Sequence, residues 1–146
     1  MIRHRLYLSL LVFFLIEAIL PSKGSPQTEG AALPASGPAK LTLVQAVMCE
    51  KIKEYTPQNP AVVFSISIGE VSCFTYFDPV PETTFIFHKW FHRDRLTTER
   101  KLYLKPARWA TFSSIQLREA DKGPWRVEVS DKDDNILKVL RFSITE

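Results

Sequence analysis

Two cysteines, a pair of histidines four residues apart, two adjacent serines and three tryptophans are the side chains of this 146-residue chain whose types could do chemistry. Cys49 and Cys73 are the only cysteines. In an oxidising compartment an even count favours a disulfide, which would close a loop of about 25 residues and stabilise the fold by roughly 3 kcal/mol. Two buried free thiols are the alternative reading. Without a Cys-x-x-Cys spacing, a metal or redox role has little support.

His88 and His92 suggest a metal site, but four residues along a strand separate two side chains by about 13 Å. One ion needs both ring nitrogens about 2 Å away, so chelation by this pair is not expected. His88 shares a face with Ile86 and Trp90 and reads as a buried histidine donating to a backbone carbonyl or to a Ser or Thr; a ligand contact is the second reading. Ser113-Ser114 with His88 would be a nucleophile and its base. There is no Gly-x-Ser-x-Gly elbow and no orienting acid, so hydroxyls capping a strand end are the simpler account. Asp131, Asp133 and Asn135 echo the start of a calcium loop, yet Ile136 replaces the required Gly and Phe142 the bidentate Glu, which leaves a polar hairpin turn. Nothing in the chain calls for a metal or a cofactor. Trp125, alternating with Val127 and Val129, belongs to a core motif with Trp90 and Phe142. Trp109, beside Pro106 and Arg108, is the aromatic expected to stand exposed and stack on a sugar, with Arg108 and His88 as further ligand contacts.

The elements that would position these residues are strands. From Leu41 onward the dominant period is two, in a stretch rich in Val, Ile, Phe, Tyr and Thr. Val62 to Ile68 alternates, Gly69-Glu70 marks a tight turn, and Val71 to Phe77 reads as the returning strand. Asp78-Pro79-Val80-Pro81 is a loop, since two prolines cannot feed a central ladder. Thr83–His92, Leu96–Leu104, Trp109–Ser113, a strand opened by Gly123-Pro124, and Ile136–Ile144 follow, the last two joined by a turn at Asp133-Asp134-Asn135. Met48–Tyr55 and Ser114–Ala120 tolerate a helical turn or two. Leu140, Phe142 and Ile144 face inward, leaving Leu137 and Val139 as outer apolar positions. The expectation is all-β: an immunoglobulin-like antiparallel β-sandwich of about seven or eight strands.

The chain ahead of this domain has a different character. Arg3 and Arg5 precede an apolar run from Leu6 to Leu20 interrupted by Ser9 and Glu17, and Ser22-Lys23-Gly24 places small residues where a signal peptidase would cut. Residues 1–24 read as a signal peptide. An uncleaved membrane anchor is the alternative, although fifteen residues give about 22 Å of helix, short of a roughly 30 Å hydrocarbon core. Residues 25–40, with three prolines, two glycines and several Ala and Ser, read as a linker, and residues 41–146 as the β-sandwich domain. The formal charge of +3 is partly the leader's: without Arg3, Arg5, Lys23 and Glu17, 16 basic and 15 acidic residues remain. A domain this near neutrality gives no reason to expect nucleic-acid binding.

Four local patterns add a family resemblance. His88-Lys89-Trp90, Trp109 with Thr111 and Ser113-Ser114, Gly123-Pro124-Trp125-Arg126-Val127-Glu128-Val129, and Leu140-Arg141-Phe142 stand in the order and spacing of the bacterial domain of unknown function 2914. The chain resembles that family over about Ile86 to Ile144 and departs from its pattern at Ala110, where the family has Arg, and at Ile115, where it has Lys. The resemblance implies an envelope-associated domain without an established activity. Together these readings point to an exported, non-enzymatic module of the periplasm or cell envelope, touching the membrane only through its N-terminal segment. It would contact an envelope protein or a cell-wall component. A carbohydrate-binding module using exposed aromatics is the second reading, and a hydrolase the third.

Overall fold

A computed structural model describes residues 37–146. The expected leader and most of the expected linker lie outside the described residues. Nine strands follow in order: β1 Leu43–Lys53, β2 Thr56–Pro60, β3 Val63–Ser65, β4 Glu70–Phe77, β5 Thr84–His92, β6 Arg95–Leu104, β7 Trp109–Gln116, β8 Gly123–Ser130 and β9 Ile136–Thr145. They form two sheets, one ordered β2-β1-β4-β7 and the other β3-β9-β8-β5-β6. All pairings are antiparallel except that of β3 with β9. The all-β sandwich expected from the alternating pattern is present.

Alternation decides which side chains meet between the sheets. From β4 and β7 come Val71, Cys73, Thr75 and Phe77 with Ser113; from β5 and β8 come Ile86, His88 and Trp90 with Trp125, Val127 and Val129; and from β9 come Phe142 and Ile144, all of them buried. Trp90 and Phe142 meet edge-on with centroids 6.1 Å apart, and Phe142 stacks on Trp125 at 6.0 Å. The filling is therefore aromatic on the five-stranded side and smaller on the four-stranded side, the complementarity that a close-packed interior requires.

Three local expectations need correction. Met48–Tyr55 is not helical: Met48 to Lys53 continues β1, because cross-strand pairing with β4 and then β2 satisfies its backbone on both sides. Ser114–Gln116 likewise completes β7, and only Glu119–Asp121 forms a single 3₁₀ turn. Val62–Ile68 and Val71–Phe77 do not make a hairpin. β3 is three residues long and pairs with β9 in the other sheet, and a 3₁₀ turn at Ile66–Ile68 then carries the chain across to β4. Gly69 closes that turn at φ 75°, a left-handed conformation that glycine adopts without a Cβ penalty.

The pairing of β1 with β4 ends at Cys49, and the rest of β1 runs with β2 as a hairpin. That hairpin folds across the outer face of the four-stranded sheet, bringing the Tyr55 ring edge-on to Phe112 of β7 at 6.3 Å. Phe74, Ser72 and Cys49 are buried on this outer face. Alternation alone would have left them exposed.

Candidate functional site

The side chains that could do chemistry converge in the middle of the sandwich. His88 on β5 is fully buried, with Nδ1 2.9 Å from Ser113 Oγ and Nε2 3.2 Å from Thr75 Oγ1. Trp90, two residues along the same face, donates its indole N–H to the same Ser113 Oγ at 3.0 Å. Thr75 Oγ1 donates in turn to the Thr111 carbonyl at 3.4 Å. The donors fix the protonation pattern. Trp90 can only donate, so Ser113 Oγ accepts from it and keeps its own proton for His88 Nδ1. Thr75 spends its proton on Thr111 and accepts from His88 Nε2–H. The imidazole is thus the neutral Nε2–H tautomer, and every hydrogen bond in the network has a donor and an acceptor.

Ser113 and His88 therefore stand in the geometry of a nucleophile and its base, at the distance such a pair needs. Their surroundings assign them another role. Burial lowers the His88 pKa to about 3, so the ring takes up a proton only at considerable cost. The third group behind it is a threonine hydroxyl, which cannot stabilise an imidazolium as a carboxylate does. The serine oxygen already accepts the indole N–H, and the pair lies between Trp90, Ile86 and Val129. What this arrangement does is pin β5 to β4 and β7 across the interface of the two sheets.

The remaining sequence candidates separate. Cys49 and Cys73 are free, and the expected disulfide is not formed. Register explains why: Cys73 stands opposite Met48 and points into the core, whereas Cys49 stands opposite Ser72 and points to the outer face. Side chains on opposite faces of one sheet cannot reach the geometry of an S–S bond. Cys49 Sγ instead donates to the Ser72 carbonyl at 3.7 Å. Burial pushes its thiol pKa up to about 11 and raises that of Cys73 as well, which leaves both as unreactive thiols.

Trp109 is not an open platform either. It pairs with Phe77 at the start of β7, is half-buried against the core, and has Lys105 Nζ 5.8 Å from its ring. Arg108 beside it is exposed, while His88 is sealed inside, so Trp109, Arg108 and His88 do not form one site. His92 stacks on Trp125 at 4.5 Å and lies 3.0 Å from the Lys122 carbonyl, well apart from the role of His88. Among the described residues no group of three or more His, Cys, Asp or Glu side chains could hold a metal ion. In the β8–β9 turn, the Asp131 carboxylate accepts from the backbone N–H groups of Asp133 and Asn135 and from Asn135 Nδ2. Partial burial works against its ionised form, but these donors outweigh it and hold the carboxyl below its usual range. Val139 is 37% exposed, while Leu137 packs against the core.

Two surface features carry recognition chemistry that the individual residues did not announce. The first is the outer face of the five-stranded sheet. Phe85, Phe87 and Tyr103 contact one another edge-on at 5.5 and 6.1 Å, with Lys101 Nζ 3.8 Å above the Phe85 ring. Further along, the Arg126 guanidinium lies 3.9 Å over Phe91, and Tyr103 is 62% exposed. Phenylalanines alternating with core residues along Thr84–His92 were the available sign, since a strand buried on one face alone would carry polar residues there. The second is a cleft between β6 and β7, whose lining comes from strands that only the fold brings together.

Residues 83–144 match the model of a family described as a protein of unknown function (DUF2914). The match agrees with the resemblance read from the His88, Trp109, Gly123 and Leu140 motifs. It runs from the approach to β5 into β9 and so contains the His88–Trp90 half of the network, Ser113, the aromatic outer face and both walls of the cleft. No curated protein matches the chain.

Proposed function

We propose that this protein is an exported, non-enzymatic β-sandwich module that acts by surface contact with a protein of the cell envelope. The observation that supports this reading most is the outer face of the five-stranded sheet, where Phe85, Phe87, Phe91 and Tyr103 lie among Lys101, Lys89 and Arg126. Aromatic rings and arginine, here the four rings with Arg126, are enriched in the energetic centre of protein interfaces. The basic start and apolar run of residues 1–24 supply the reason to place it outside the cytoplasm.

Carbohydrate binding is the second reading. It is favoured by Tyr103 rather than by Trp109, because Tyr103 is the more exposed ring while Trp109 packs against the core. A photo-crosslinking residue, p-benzoylphenylalanine, introduced at position 103 of the full chain in its producing cell separates the two. The interaction reading predicts a discrete protein adduct from position 103 and none from position 55, which is equally exposed on the other sheet. No adduct from 103, with retention of the wild type but not Tyr103→Ala on a polysaccharide, would replace it with the second reading.

A further inference from the structure

We propose that the cleft between β6 and β7 is a docking site for an acidic, extended peptide segment of the partner. The proposal rests on the interaction reading above and adds the chemistry of what is bound. β6 and β7 are the edge strands of different sheets, and they face each other across the open side of the sandwich. On that side their backbone N–H and C=O groups have no neighbouring strand, which is what an added peptide strand pairs with.

The cleft between them has a volume of about 410 Å³, and its lining includes Arg100 of β6, Ser114 and Gln116 of β7, Arg118 and Asp121 beyond β7, and Trp125. Arg100 pairs in register with His88, so it sits on the inner face of an edge strand. A guanidinium cannot be desolvated in the core, and the open side is its route to water. Arg126, Lys89 and Lys122 all hold carboxylates, whereas Arg100 has no ion-pair partner among the described residues. Arg118 holds Asp121 mainly through its backbone N–H, at 2.7 Å, and its guanidinium reaches that carboxylate only through Nε, at 3.5 Å, which leaves the outer N–H groups available. Two guanidiniums at the mouth of one cleft form a receptor for carboxylate.

Charge over a longer range agrees. Residues 95–118 contain six basic side chains and one acidic, a net of +5, while the rest of residues 37–146 contains ten basic and thirteen acidic, a net of −3. The basic residues are concentrated where the two open edges are, so an acidic partner is steered to them. An unpaired strand edge favours a peptide over a polynucleotide, because it presents alternating donors and acceptors that only another peptide backbone complements.

The test uses fluorescein-labelled (Glu-Val)₄ and the full chain, read by fluorescence anisotropy and by hydrogen exchange. The proposal predicts binding that weakens with salt and slows amide exchange in Thr97–Arg100 and Ser114–Gln116. Arg100→Gln and Arg118→Gln should each weaken it about tenfold; Lys51→Gln, on β1 and outside the cleft lining, should leave it unchanged. Equal binding of (Gln-Val)₄ would overturn the proposal. So would tighter binding of an oligothymidylate eight nucleotides long, or the same exchange pattern from inorganic phosphate alone, which would mark a nucleic-acid or a small-anion site. If (Glu-Val)₄ fails to bind while position 103 still cross-links, this proposal falls and the interaction reading survives. Failure of both removes both.

Discussion

His88 illustrates how a side chain suited to catalysis is committed to structure instead. Its ring nitrogens are spent on Ser113 and Thr75, and its folded-state pKa lies near 3 because of burial. The sign of the linkage follows. In the unfolded chain the ring titrates near 6.5, so between about pH 6.5 and about pH 3 the unfolded state binds a proton that the folded state does not. Stability is fully present above pH 6.5 and falls as pH drops through that window, by about 1.4 kcal/mol per pH unit from this residue. Chemical denaturation of the wild type and of His88→Gln should differ in slope by that amount over this range, and equal slopes would show that His88 is not buried as neutral imidazole. Ser113→Ala should cost at least about 2 kcal/mol, because it strands both the Trp90 N–H and His88 Nδ1. The periodicity of Thr84–His92 put His88 and Trp90 on one face. Along the sequence Ser113 meets a histidine only as a candidate nucleophile; that it bridges His88 and Trp90 from the opposite sheet was not legible, since facing across a core is set by how sheets stack and not by spacing along the chain.

The strands themselves were legible where one face is apolar and the other polar, as in Gly123–Ser130, and where turn residues bracket them. They were illegible where both faces are covered. Met48 to Lys53 looked able to turn as a helix because Met48 and Cys49, on opposite faces of β1, are both buried, which breaks the alternation. The Val62–Gly69 segment looked like half of a hairpin because its apolar residues fill two different places, β3 beside β9 and the crossing turn. The cysteine pair failed for a related reason: a count and a compartment say nothing about register, and here one residue of offset puts the two thiols on opposite faces. A reducing agent should therefore leave the unfolding midpoint of the purified chain unchanged, and thiol labelling in denaturant should find both Cys49 and Cys73. A midpoint that falls on reduction would restore the bridge. Gly69→Ala, which forces a Cβ into φ 75°, should cost about 1–2 kcal/mol through the backbone alone, since the added methyl meets nothing within 4 Å.

Taken as a whole molecule, the sandwich divides its labour between interior and surface. Trp90 and Trp125 are 0% and 6% exposed and fill the aromatic side of the core, so truncating either to Ala should cost about 3–5 kcal/mol in denaturant titrations. The surface holds the rings and cations of the five-stranded face and the basic β6–β7 edge, and the functional proposals rest on these. Composition alone concealed the second of them: a nearly neutral total averages a basic segment with an acidic remainder, and only the fold shows that the basic part surrounds an open side. The central claim is that the Ser113–His88 pair is a sealed pin between sheets and that recognition happens outside it. Proton NMR of the His88 ring across pH 3–8 tests this most directly. The structure predicts an imidazole that stays neutral through the physiological range and begins to titrate only near pH 3, as the fold is lost. A His88 resonance that titrates near pH 6.5 in the folded protein would contradict it, and would return Ser113 and His88 to consideration as an active pair.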